Sequence, residues 1–223
     1  MEWQLGLTIG ALVYAAFMFQ LFAFLARDEL RLRVLMLAGS ALYLLYYYKV
    51  TENPLWASII TNGALAAVNL AMIGVVVLER TTFSMSKETI ELFKRFQMLS
   101  PGQFRRLLKS ARIVNSPNHA ELTRLGDRVR SLYYVIDGPV GILKGSSETQ
   151  VDGGIFVGEV AFLTGEPASA TVTIGPGIKY MEWDASDLQR LMEKSPKLYV
   201  ALSAQFNADL VRKVSKSLPH IDV

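Results

Sequence analysis

The chain opens on long apolar runs and changes character near residue 80. Residues 5–25 and 55–78 contain no charged side chain. Each run exceeds the ~18 apolar residues that a membrane-crossing helix needs. Residues 34–48 are uncharged over a shorter stretch, bracketed by Arg33 and Lys49. Those two side chains can carry their charges along aliphatic stems into a headgroup layer. Residues 1–80 therefore read as a module of three transmembrane helices. A linker with two short helical patterns follows over 81–110. One covers 88–98, and the other is opened by Ser100-Pro101, an N-cap followed by proline at the first helical position. From residue 111 the apolar period shortens to two. Runs at 112–115, 120–124, 131–136, 140–144, 154–157, 170–174 and 178–183 are separated by turn residues such as Gly126-Asp127, Asp137-Gly138, Gly145 and Gly153-Gly154. Such spacing predicts an antiparallel β-barrel of jelly-roll type over 111–183. Helical spacing returns over 184–223, first at 184–194 and then from Pro196 to about Leu218. Leu198, Leu202, Phe206 and Leu210 share one face of that last helix. The predicted class is an α+β multi-domain membrane protein: three transmembrane helices, then a β jelly roll flanked by helices.

The charges between the apolar runs orient the bundle. Arg27, Arg31 and Arg33 lie between the first two spans, and Arg80 and Lys87 follow the third, whereas the opposite side has only Lys49. The excess of Lys and Arg in cytoplasmic loops then places the first loop and everything beyond residue 80 inside, and the N-terminus outside. A multi-pass protein of the cell membrane is expected. Trp3, Tyr46, Tyr47, Tyr48 and Trp56 fall at the expected outer interface, where amphipathic rings settle. The leader Met-Glu-Trp-Gln has no basic residue, so the first run is expected to stay as an anchor rather than be cleaved as a signal. No span contains an ionisable residue, which argues against a transporter or proton relay. Asn62 and Asn69 lie on nearly one face of the third span and are expected to hydrogen-bond between helices or subunits.

The hydrophobic fraction of 51% fits this division. A net charge of +3 is too small to imply a nucleic-acid partner, and the absence of cysteine excludes disulfides and thiolate metal sites. The two histidines, His119 and His220, have no nucleophile or metal partner in view. Enzymatic activity and a cofactor are not expected.

The stretch with chemistry is 158–172, Gly-Glu-Val-Ala-Phe-Leu-Thr-Gly-Glu-Pro-Ala-Ser-Ala-Thr-Val. Together with Gly126-Asp127, Tyr133-Tyr-Val-Ile-Asp-Gly138 and the helix–barrel–helix order, it resembles the cyclic-nucleotide-binding domain family over about residues 88–218. The resemblance implies a phosphate-binding cassette in which backbone N–H groups cradle an anionic cyclic phosphate. The implied ligand-binding residues are Gly158, Glu159, Val160, Ala161, Ala168, Ser169, Ala170 and Thr171. Gly158 would let the backbone approach, Glu159 would accept the ribose 2′-hydroxyl, and the amides near Ser169 and Ala170 would contact the phosphate. An arginine normally precedes the Ser-Ala pair in that family, and here the position is Ala168. The strongest charge-assisted contact is thereby missing. Lys179 and Arg190 are the basic residues considered in its place. The implied ligand is a cyclic mononucleotide, with cyclic AMP the first candidate.

The whole chain also resembles the Popeye domain family, particularly its bacterial members. Asn62-x6-Asn69 matches a pattern in that family's third span, Thr171-Val-Thr-Ile174 falls on one of its strands, and Trp183 and Leu188 fall on its Trp-x4-Leu. Where that family has Asp-Ser-Pro-Glu, this chain has Gly158-Glu-Val-Ala161. The resemblance implies a membrane-anchored cyclic-nucleotide receptor working with the lipid bilayer as a homodimer or higher homo-oligomer. Two other readings stand beside it. One is a structural or trafficking scaffold with a dead cassette, dimerising through the Leu198/Leu202/Phe206/Leu210 stripe. The other is an antiviral effector whose spans disrupt the membrane when a cyclic nucleotide binds. A cyclic-nucleotide-controlled transcription factor is not expected, because the chain leaves no room for a helix-turn-helix after its last long helix.

Overall fold

A computed structural model describes the backbone of residues 2–217 and the side chains of residues 10–215. The side chain of Trp3 and all of His220 lie outside that range. The chain divides into two compact units, Met1–Phe83 and Ser84–Val223.

The first unit consists of α1 (Glu2–Leu25), α2 (Glu29–Lys49) and α3 (Trp56–Arg80). Asp28 caps α2, accepting from the Arg31 amide at 3.1 Å, and its other oxygen pairs with Arg80 at 2.8 Å. The Arg80 guanidinium, with the Arg31 amide, holds the Asp28 carboxyl below the usual range. This contact brings the α1–α2 turn to the end of α3, as an up-down-up hairpin pair requires. By length and composition α2 and α3 could each cross a membrane, with only 11% of the apolar window of each buried. The described part of α1, Gly10–Leu25, is a shorter apolar helix. Outward faces carry Tyr14, Phe24, Trp56 and Ile60. Asn69 is buried and accepts from Arg33 Nη1 at 3.4 Å, joining α3 to α2. A Cβ at Gly39 would sit 3.1 Å from the Ala16 carbonyl oxygen, so a residue without a side chain is what allows α1 and α2 to approach.

The second unit begins with α4 (Lys87–Phe93) and α5 (Pro101–Lys109). Ser100 and Gln103 form a reciprocal capping box at the start of α5. The first helical pattern stops at Phe93 rather than at residue 98. Beyond it, Phe96 and Leu99 turn into the core. Gln205 supplies the bonds that a continued helix would have made, accepting from the Met98 amide and donating to the Arg95 carbonyl, both at 3.1 Å.

Eight strands follow: β1 (Arg112–Asn115), β2 (Ala120–Thr123), β3 (Ser131–Val135), β4 (Pro139–Lys144), β5 (Ser147–Asp152), β6 (Ile155–Val157), β7 (Thr171–Ile174) and β8 (Lys179–Asp184). They form two antiparallel sheets, ordered β1-β8-β3-β6 and β2-β7-β4-β5. The strand β5 was not foreseen. Its sequence, Ser-Glu-Thr-Gln-Val-Asp, is polar and almost wholly exposed, because it pairs only with β4 at a sheet edge. Period-2 alternation splits the core. Leu132 and Tyr134 of β3 face a helix-side cluster with Phe96, Phe104, Phe156, Trp183 and Phe206, while Val135 faces a cluster between the sheets with Val140, Val157, Val172 and Ile174. Trp183 Nε1 donates to the Leu107 carbonyl at 2.8 Å, tying α5 to β8.

The last described elements are α7 (Ala185–Glu193) and α8 (Pro196–Ser217), with α6 (Glu159–Thr164) lying between β6 and β7. Leu198, Leu202 and Phe206 of α8 are fully buried in the helix-side cluster. Three of the four residues of the stripe considered above as a dimerisation face are thus core within one chain, and the fourth, Leu210, is half-buried and borders the cavity described below.

Candidate functional site

Gly158 turns the chain from β6 into α6 with φ +87°, a conformation that L side chains rarely adopt. A Cβ there would also lie 3.0 Å from Val129 Cγ1 and 3.4 Å from the Ser131 carbonyl. The turn swings Glu159 inward, where it is only 4% exposed. On the return arm Ala168 is clamped. Its N–H donates to the Asp127 carbonyl and its own carbonyl accepts from the Gly126 amide, both at 2.9 Å. This clamp is the local task of the Gly126-Asp127 turn. Thr171 Oγ1 accepts from the Leu125 amide at 3.0 Å, and Thr123 Oγ1 donates to the Ala170 carbonyl at 3.2 Å. The amides of Ser169 and Ala170 donate to nothing among the described residues.

These two arms, the β4–β5 hairpin and the end of α8 enclose a cavity of about 680 Å³. That volume falls in the range of small-molecule sites. Gly158, Glu159, Val160, Ala161, Ala168, Ser169 and Ala170 all border it, and Thr171 does not. Ile142, Val151, Val157 and Val172 make the opposite wall apolar. One side therefore offers free amides and the other a hydrophobic surface, suiting a ligand with one anionic end and one flat apolar end.

The third side is charged and comes from α8. Lys213 Nζ donates to Glu159 Oε1 at 2.6 Å and to the Phe156 carbonyl at 2.5 Å, and it pairs with Asp209 Oδ2 at 2.9 Å. The Asp209 side chain is fully buried. It accepts from the Phe156 amide at 3.1 Å on one oxygen and from Arg212 on the other. Arg212 also donates to the Gly154 carbonyl at 3.0 Å. Two buried carboxylates are thus neutralised by two cations of one helix turn. Removing one member of such a set typically costs about 3–5 kcal/mol, because the other is left as an unpaired buried charge.

Sequence reasoning had not singled out Asp209, Arg212 or Lys213. A signal was present, since Asp209 and Lys213 continue the face of Leu198, Leu202 and Phe206 at helical spacing. Neither basic residue considered for the missing arginine reaches the cavity. Lys179 lies opposite Asn115 in the β1–β8 pair, and Arg190 is engaged by Asp187. Among the described residues, the cations on the wall are Lys144, Arg212 and Lys213.

Two sheets in this order, a short helix after the sixth strand and a cavity over its N-terminal turn define a jelly roll of the cyclic-nucleotide-binding type. Residues 113–195 match the family model for the cyclic nucleotide-binding domain. Over 144 residues, 65% of this chain, the sequence is 26% identical to a cyclic nucleotide-gated potassium channel of Mesorhizobium japonicum. A cyclic nucleotide-gated potassium channel of Rhizobium etli is 24% identical over the same length. The match spans 38% of the length of each relative. Among solved structures, a cyclic-nucleotide-binding-type protein of Geobacter metallireducens GS-15 aligns with a TM-score of 0.51 and 14% identity, covering 58% of this chain and 98% of that one. At that identity the likeness establishes the fold alone.

Proposed function

We propose that this protein is a membrane-anchored, non-enzymatic receptor for a cyclic mononucleotide, with cyclic AMP the first candidate. The observation that carries it is a coincidence of place. Seven of the eight residues picked from the sequence border one cavity, which joins open amides to an apolar wall. The match to the cyclic nucleotide-binding domain and the printed names of the two rhizobial relatives support the same ligand class. In the proposed pose the cyclic phosphate meets the Ser169 and Ala170 amides, Glu159 accepts the ribose 2′-hydroxyl, and the base lies on Ile142, Val151 and Val172.

The membrane half of the proposal is that α1, α2 and α3 all span the bilayer, with the N-terminus outside and the barrel in the cytoplasm. It is supported by the apolar helices and by the clustering of Arg27, Arg31, Arg33 and Arg80 on the side of the Asp28–Arg80 contact. The division into spans 1–80, linker 81–110, barrel 111–183 and closing helices 184–223 then has a functional sense: ligand acts on the barrel, and the linker carries the change to the spans. Any such signal is limited by the difference in ligand affinity between the two states. The Popeye-like kinship is the finer part of the proposal. It is supported by the buried Asn69 in α3 and by Trp183 and Leu188, both almost fully buried where β8 meets α7. Self-association of the spans completes the proposal.

Isothermal titration calorimetry on the full chain in lipid nanodiscs, with the cyclic forms of AMP, GMP, CMP and UMP, tests the receptor assignment. Saturable binding of at least one of them is expected. No heat from any of them at millimolar concentration would reject it.

A further inference from the structure

The cassette brings no positive charge of its own. Between Gly158 and Val172 the only ionisable residues are Glu159 and Glu166. A cyclic phosphate is a monoanion, and it would enter beside a buried carboxylate. Among the described residues, every cation on the cavity wall comes from elsewhere: Lys144 from the β4–β5 hairpin, and Arg212 and Lys213 from α8. Lys144 is exposed at the end of its strand, one turn residue from the hairpin tip. Arg212 is held away from the cassette by Gly154 and Asp209. Lys213 is the cation in direct contact with the cassette, through Glu159.

We infer that Lys213 of α8 is the counter-ion for the ligand's cyclic phosphate, standing in for the guanidinium that the cassette lacks. This inference rests on the receptor assignment above and names the charge which that assignment leaves unsupplied. The partners of Lys213 make the exchange feasible. An ammonium has three donors, and here they engage Glu159, Asp209 and the Phe156 carbonyl. Among the described residues, Asp209 alone of these acceptors has other strong partners, the Arg212 guanidinium and the Phe156 amide. Lys213 can therefore release Asp209 to a phosphate oxygen without stranding a buried charge, while it keeps Glu159 aimed at the ribose. Lysine suits this role, since its compact charge on a flexible stem can re-aim its donors, whereas a guanidinium fork is committed to one geometry. Placing the counter-ion on α8 also makes phosphate affinity depend on the seating of that helix.

The test compares the wild-type chain with Lys213→Met and Lys213→Arg in nanodiscs, by calorimetry with the cyclic nucleotide that wild type binds best. Lys213→Met keeps the length of the stem and removes the charge. An affinity loss of about 10–100-fold is expected, the size of one charge-assisted phosphate contact. Lys213→Arg should recover part of that loss, because it restores the charge without the freedom to re-aim it. The dependence of affinity on salt should also be weaker in Lys213→Met than in wild type, because one ionic contact is gone. Unchanged or tighter binding by Lys213→Met would overturn the inference, as would equal losses in both variants with an unaltered salt dependence, the mark of a merely structural role. A wild type that binds none of the four nucleotides would instead remove the receptor assignment itself.

Discussion

At the scale of single residues, the cassette is legible where backbone geometry sets the choice and illegible where a distant partner does. Gly158 was legible because no other residue takes a φ of +87° against Val129 and Ser131 without strain. Gly158→Ala should therefore cost about 1–3 kcal/mol of barrel stability, read as a lowered midpoint in thermal unfolding; an unchanged midpoint would mean that the turn tolerates a side chain. Glu159 was legible as an acceptor, but its ion pair was not. Its partner Lys213 lies 54 residues further on in an element whose apolar stripe draws all the attention. Glu159→Gln retains an oxygen to accept from Lys213 and loses the charge that favours a ribose hydroxyl. Binding of the cyclic nucleotide should fall about tenfold, the typical difference between a charged and a neutral acceptor, alongside a lowered thermal midpoint of the ligand-free protein, because one charge of the buried set is lost. Equal affinity in the two proteins would place the ribose elsewhere. Ala168 carried a warning in the sequence, the absent arginine, without saying where its replacement lay. The chain supplies the charge from the third dimension, and no local pattern encodes that.

At the scale of elements, helices and buried strands announced themselves and the edge did not. Six of the strands were visible as alternating runs because one face of each meets a core, and β1, which buries no residue, was marked by Ile113 and Val114 between polar neighbours. The polar β5 had no buried face to produce a pattern, and only its glycine turns marked its ends. The early stop of α4 was equally hidden, because the Gln205 amide that replaces its helical bonds arrives from α8. This makes α8 a strut as well as a cavity wall. Phe206→Ala would remove a fully buried ring packed edge-on against Phe156 at 4.9 Å, at a cost of about 3–5 kcal/mol. Loosened α8 should also expose the cavity, so faster amide exchange at Phe156 and Glu159 is expected alongside the stability loss. Exchange that stays slow there would separate α8 from the site. The helix α7 offers a pH test. Asp184 caps it, and the Ser186 hydroxyl foremost, with the Asp187 amide, holds its carboxyl below 3.8. A carboxyl with a depressed folded-state value stabilises fully above its unfolded value and loses that contribution as acid protonates it. Asp184→Ala should lower the thermal midpoint at pH 6, and the difference should vanish well below pH 3.8. A difference that persists in acid would show that the cap acts through something other than its charge.

At the scale of the whole molecule, the division into an apolar unit and a barrel unit follows from the abrupt change of period near residue 80, which is why it could be read without coordinates. The side of the membrane on which the barrel lies is a matter of charge between helices, and the chain's lack of cysteine makes it easy to probe. Thr51→Cys, in the α2–α3 turn, should react with a membrane-impermeant maleimide on intact cells. Asp127→Cys, in the barrel, should react only after permeabilisation. The reverse pattern would invert the topology.

The most direct measurement is the structure of the full chain determined with a saturating cyclic mononucleotide. The phosphate should be seen at the Ser169 and Ala170 amides with Lys213 Nζ moved onto it from Asp209, and the ribose should lie on Glu159. Lys213 still paired with Asp209, with the nucleotide absent or bound elsewhere, would contradict it.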